Sequence, residues 1–143
     1  MPPLSQQRPR IAGVSSLRIE AWHDPLVEAH GHDPRSAYVS QFWLAIVGPS
    51  ALVAARFLVE GLDHSPDGYD VELVALGQAL GLPGRGGNQS KIARTLDRLV
   101  AFGLASFHAT SPPLYRVRLA WPPLTQRQLG RLPAFLAELH PVA

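Results

Sequence analysis

Two apolar stripes of helical period, one after the other and followed at once by a β-forming run, constrain this 143-residue chain more than any other feature. They lie in residues 71–107, VELVALGQALGLPGRGGNQSKIARTLDRLVAFGLASF. Leu73, Leu76 and Leu80 recur at three- and four-residue spacing, which places them on one helical face. Asp70 precedes them as a helix cap, and Gly81 stands where a left-handed terminating residue is wanted. Ile92, Leu96, Leu99 and Val100 form the second stripe, with Asn88 or Ser90 as its cap and Gly103 as its stop. The opposite face of this second helix carries Lys91, Arg94, Thr95 and Arg98. The pattern predicts helices over 71–80 and 90–102, then a hairpin of 104–109 and 114–121 turning at Thr110-Ser111-Pro112-Pro113. In its second strand Arg116 and Arg118 share one face, and Tyr115, Val117 and Leu119 the other.

The rest of the chain is read around this segment. Residues 1–16 are polar and proline-bearing, a disordered tail on composition. Residues 17–48 form an N-terminal extension. In it LRIEAW alternates as a strand, Asp24-Pro25 opens a helical turn, 32–36 turns, and 38–47 is an apolar, aromatic helix broken by Gly48. Pro49 then suits the first turn of a helix to about 62 that is nearly apolar all round and should be central. The domain proper is 49–121, followed by a C-terminal helix in 122–143. Thr125 starts that helix, Leu129, Leu132, Phe135, Leu136 and Leu139 give it an apolar stripe, and Pro133 kinks or splits it.

The run Ser90, Ile92, Arg94, Leu96, Arg98, Leu99, Gly103 and Leu104 resembles the recognition helix and first wing strand of winged helix-turn-helix regulators, the MarR-like kind among them. The likeness covers roughly 50–121. Through WHDPLVE, GHDPRSAYV and QFWLAIVGPSA the chain is also similar to actinobacterial winged-helix proteins, a likeness that carries no function. The resemblance implies an α+β fold: a winged helix-turn-helix with an N-terminal extension and a C-terminal helix. It also implies duplex-DNA binding and transcriptional regulation, with the helix at 90–102 in the major groove. Gln89 and Ser90 would meet base edges; Lys91, Arg94, Thr95 and Arg98 would line the DNA face; Arg85, Arg116 and Arg118 would meet phosphates. One departure is the long turn at 83–89, PGRGGNQ, which is either a glycine-backbone phosphate clamp with Arg85 or an inserted surface loop. A second is a wing tip without a basic residue.

Charge distribution agrees with a polyanion partner. Residues 1–84 hold five arginines against nine acids, and 85–143 hold seven arginines and one lysine against two acids. The acidic half would face solvent or a protein partner. A protein-interaction winged helix without DNA contact is therefore the alternative reading, and the last helix could pair two copies into a homodimer. The absence of cysteine excludes disulfides and thiol chemistry. No Gly-x-Ser-x-Gly elbow is present, and no enzyme activity, cofactor or metal is expected. His23, Asp24, His30, His32 and Asp33 cluster, but glycine and two prolines punctuate them, and a hydrogen-bonded turn explains them better than a metal site. His64, His108 and His140 are expected at the surface. No signal peptide or membrane span is visible, which fits a cytoplasmic protein.

Overall fold

The computed structural model describes residues 11, 13–82 and 90–141. Of the tail expected over 1–16, residues 1–10 and 12 lie outside the described residues, as does the glycine-rich turn at 83–89 with Arg85 and Gln89. The chain runs β1 (Ser16–Trp22), α1 (Pro25–His30), a π-helical turn (Val39–Trp43) continuing into α2 (Leu44–Val47), and α3 (Pro49–His64). There follow β2 (Tyr69–Glu72), α4 (Leu73–Ala79), α5 (Lys91–Ala101), β3 (Ala105–His108), β4 (Leu114–Arg118), α6 (Gln126–Leu129) and α7 (Ala134–Ala137). The fold is α+β, as expected, with β3 and β4 as an antiparallel wing.

β1 sits in the middle of the sheet, whose order is β2-β1-β4-β3. It runs antiparallel to β2 and parallel to β4, with Glu20 beside Arg116 and Trp22 beside Arg118. The strand of the N-terminal extension is therefore an inner strand of the sheet. Leu17, Ile19, Tyr115, Val117, Ala105 and Phe107 point to the helical side and are buried. They pack with Leu58 and Val59 of α3 and Ile92, Leu96 and Leu99 of α5 in one core. Each large side chain so buried contributes about 1.5–3 kcal/mol. The fully buried Tyr115 keeps its polar end satisfied by donating its hydroxyl hydrogen to Leu96 O at 2.8 Å. Ile11, assigned by composition to the disordered tail, is also in the core, and its N–H donates to Asp97 Oδ1 at 3.2 Å.

The helix expected over 71–80 begins later. Tyr69 and Val71 alternate toward the sheet and pair with β1, so the first turn is strand β2. Asp70 does not cap a helix; its carboxylate stands 3.7 Å from Arg18 Nη1. α4 starts after Glu72 and stops near Gly81, whose φ of +70° matches the expected terminator. Gly77 lets α4 lie close on α5: a Cβ there would stand 2.9 Å from Leu82 O and 3.3 Å from Ile92 Cγ2. α5 is as expected. Ser90 caps it by accepting from Ala93 N at 3.1 Å, and Gly103 at φ +72° ends it.

α3 follows Gly48, which has φ +86° and breaks α2, with Pro49 at its first position. It is not buried all round, since Val53 and Phe57 leave one exposed apolar strip. Pro133 splits the expected last helix into α6 and α7. α6 carries a capping box between Thr125 and Gln128. Leu132 is buried and Leu136 packs on the core, whereas Phe135 (70% exposed) and Leu139 (62%) face outward. His140, expected at the surface, instead meets the hydroxyl of Tyr38 at 2.6 Å through Nε2 and packs edge-on to Phe42. Trp121 stands edge-on to Trp43, and Trp43 Nε1 donates to Pro122 O at 2.8 Å, which anchors the chain after the wing.

Candidate functional site

The described residues among those expected to meet DNA divide into two groups. Lys91 and Arg94 project from α5 into solvent and make no hydrogen bond or ion pair among the described residues. The others are occupied or hidden. Ser90 is buried and spends its hydroxyl on capping α5. Thr95 lies between Ile92 and Leu99 on the packed face and is 8% exposed. Its polarity suggested the outer face, but positions three after Ile92 and four before Leu99 belong to the same helical side.

Arg98 reaches away from the outer face. Its Nε donates to Val47 O at 2.7 Å and its Nη2 to Ile46 O at 3.3 Å. These are the terminal carbonyls of α2, left without helical partners where Gly48 breaks the chain. A guanidinium there satisfies them and complements the negative helix end. The side chain also stands 5.3 Å from the centre of the Phe102 ring.

The arginines of β4 are explained by the sheet register. Parallel pairing puts Glu20 next to Arg116, at 3.8 Å between Oε1 and Nε. Arg118 lies 3.7 Å over the Trp22 ring, donates from Nε to Gly103 O at 2.7 Å, and pairs with Asp24 at 3.0 Å. Arg118 is thus a tie between wing, β1 and the start of α1 rather than a free phosphate ligand. Its hydrogen bond to Asp24 is the main cause that holds the Asp24 carboxyl below the usual carboxylate range. Asp24 Oδ1 also accepts from Leu26 N and Val27 N as the cap of α1.

The histidine-rich segment is built as a turn. Asp33 accepts from Arg35 N at 2.7 Å and pairs with the Arg35 guanidinium, which also meets Asp63. Those bonds lower the Asp33 carboxyl and raise the Arg35 guanidinium. The His32 ring stacks on Tyr38 at 3.9 Å, and its burial, with His140 nearby, pushes its pKa down.

What α5 does present is a hollow. Lys91, Arg94, Thr95 and Arg98 line it together with Ser50, at the N-terminus of α3, and Leu82, after α4; its volume is about 460 Å³ and it is open on one side. Sequence spacing put the three cations on one face. It carried no signal that the start of α3 would stand opposite them.

Among the described residues no helix is long and apolar enough to cross a membrane. No protein-family model and no curated protein matches the sequence. Among solved structures the chain is similar to primosome protein DnaB (residues 1–300) from Geobacillus stearothermophilus, at a TM-score of 0.53 and 22% identity. The match covers 87% of this chain and 46% of that one, so this chain spans less than half of its neighbour's length. That corrects the function expected from the sequence. The expectation of a duplex-DNA-binding transcriptional regulator gains no support from any family or relative, and the likeness in fold runs to a primosome protein instead.

Proposed function

We propose that the chain is an assembly module of a replication-type protein complex, a winged helix that joins proteins together. The observation that carries this reading is the outward apolar pair formed by Phe135 of α7 and Leu139 just after it. Phe135 and Leu139 are 70% and 62% exposed on one side of the last helical turn, while Leu132 and Leu136 hold its other side to the core. Leaving large apolar side chains in water forgoes about 1.5–3 kcal/mol each, which a partner surface recovers. The ties of Arg118 to Gly103, Trp22 and Asp24 support the same reading, because they remove a cation that a DNA-reading face would use. The name of the structural neighbour, a primosome protein, supplies the kind of assembly.

The partner is a second copy of this chain. Arg131, before the pair, and Glu138, between its two members, are both exposed and opposite in charge, so a two-fold axis sets the Arg131 of one copy against the Glu138 of the other. Sedimentation velocity tests this. The wild type should form a dimer at micromolar concentration, and Phe135→Asp or Leu139→Asp should return it to a monomer with an unchanged unfolding midpoint. A wild type that stays monomeric at that concentration overturns the reading.

A further inference from the structure

We propose that the hollow between α5 and the start of α3 is a binding site for a compact polyphosphate anion, with inorganic diphosphate as its simplest ligand. Four observations carry the proposal together. Lys91, Arg94 and Arg98 succeed one another at three- and four-residue spacing and all line the hollow, and no carboxylate does so among the described residues. Lys91 and Arg94 have no partner of their own among the described residues. Arg98 uses two of its five N–H donors on the end of α2, which fixes its guanidinium at the rim with the rest to spare.

The second observation is α3 itself. It is a 16-residue helix whose cap residue, Gly48, offers no side chain to its first N–H groups, and Ser50 in its first turn lines the hollow. Free N–H groups and the positive end of the helix dipole favour an anion at that point. The third is Thr95. More than nine-tenths of it is buried, yet its hydroxyl makes no hydrogen bond among the described residues. It is not shut in, because among the described residues no fully buried side-chain polar atom is left unpartnered. Thr95 also lines the hollow, where its hydroxyl is a candidate donor.

The fourth is shape. The cations border an open concavity shared with the start of α3. Among the described lining residues Leu82 is the only apolar side chain, and none carries an aromatic ring for a base to stack on. The site therefore recognises phosphate groups and not a nucleobase. Several cations with no carboxylate beside them among the described lining residues favour the higher charge of a diphosphate over a single phosphate.

Calorimetric titration of the full chain with inorganic diphosphate at low salt, without divalent metal, tests this. The wild type should bind saturably, in the range of about 1 mM or tighter, and more tightly than it binds inorganic phosphate. Lys91→Ala and Arg94→Ala should each weaken binding about tenfold, and Thr95→Val several-fold, all with the unfolding midpoint retained. Absence of saturable diphosphate binding overturns the proposal, and so do Lys91→Ala and Arg94→Ala variants that bind as the wild type does. An oligonucleotide that binds through Lys91 and Arg94 while diphosphate does not overturns it too, and assigns those cations to a nucleic-acid backbone. The outcome is independent of the dimer test, which reads α7 and not α5.

Discussion

Replacing Arg98 by methionine keeps the aliphatic stem of the side chain and removes only its guanidinium. The structure gives that group two hydrogen bonds, to Val47 O at 2.7 Å and to Ile46 O at 3.3 Å. A hydrogen bond from a charged donor contributes about 1.5–3 kcal/mol. The second bond is long and the residue as a whole is exposed, so water screens part of the gain and the lower half of that range applies. The expected loss is therefore about 2 kcal/mol, seen as a drop of roughly 6–8 °C in melting temperature for a chain of this size. Urea unfolding followed by circular dichroism gives the same quantity from the midpoint, provided that the slope is unchanged. Arg94→Met is the matched control, because Arg94 has no partner among the described residues and should change stability by less than about 0.5 kcal/mol. If the two variants lose stability alike, or Arg98→Met costs less than about 0.5 kcal/mol, Arg98 is not holding the end of α2 and the division of the α5 cations fails.

Two further outcomes can be measured on the same protein. Gly68 has φ +108°, and a Cβ there would stand 2.6 Å from Ile19 O in the central strand, so Gly68→Ala should destabilise by at least about 1–3 kcal/mol from the backbone alone; an unchanged urea midpoint would show that the turn before β2 is not so constrained. Stability should also fall with acid in two stages. His32 is held neutral by burial, so below pH 6.5 the unfolded chain takes up a proton that the folded one resists, and stability declines. Asp24 and Asp33 have lowered values in the fold, so their contribution is complete above pH 3.8 and is lost as pH falls through those lowered values. His32→Phe, which keeps a ring on Tyr38, should remove the first stage and leave the second; a first stage that survives it would refute the assignment.

The parts of the fold legible in the sequence are those with local signals. Ile92, Leu96 and Leu99 are buried because a three- and four-residue period can face only one way, and Ser90, Gly81 and Gly103 punctuate the helices by side-chain and backbone preferences that need no partner. β2 was hidden because Val71 and Leu73 fit both a strand and a helical stripe. Its pairing with Leu17 decided between them. The candidate site was read less well for one reason: an arginine's role depends on what stands opposite. Arg118 looks like a solvent cation until residues 18–22 are laid beside 114–118 and Trp22 and Asp24 meet it. Arg98 looks the same until α2 ends within its reach. Such contacts join residues far apart in sequence, and no periodicity encodes them. Phe135 and Leu139 were rightly read as apolar, but the split at Pro133 left them facing outward.

The place of β1 bears on how this protein is made as well as on how it stands. A ribosome releases Ser16–Trp22 early, yet its parallel neighbour Leu114–Arg118 emerges only after every helix through α5. Until then the central strand has β2 on one edge and an open ladder on the other. The sheet closes late, through its most distant pairing, and folding should be slow for a domain of this size. An open edge held for that long invites pairing with strangers. Two outward side chains of β1, Arg18 and Glu20, are charged, and charge along a waiting edge is what keeps a nascent chain from finding the wrong neighbour before the right one has been synthesised.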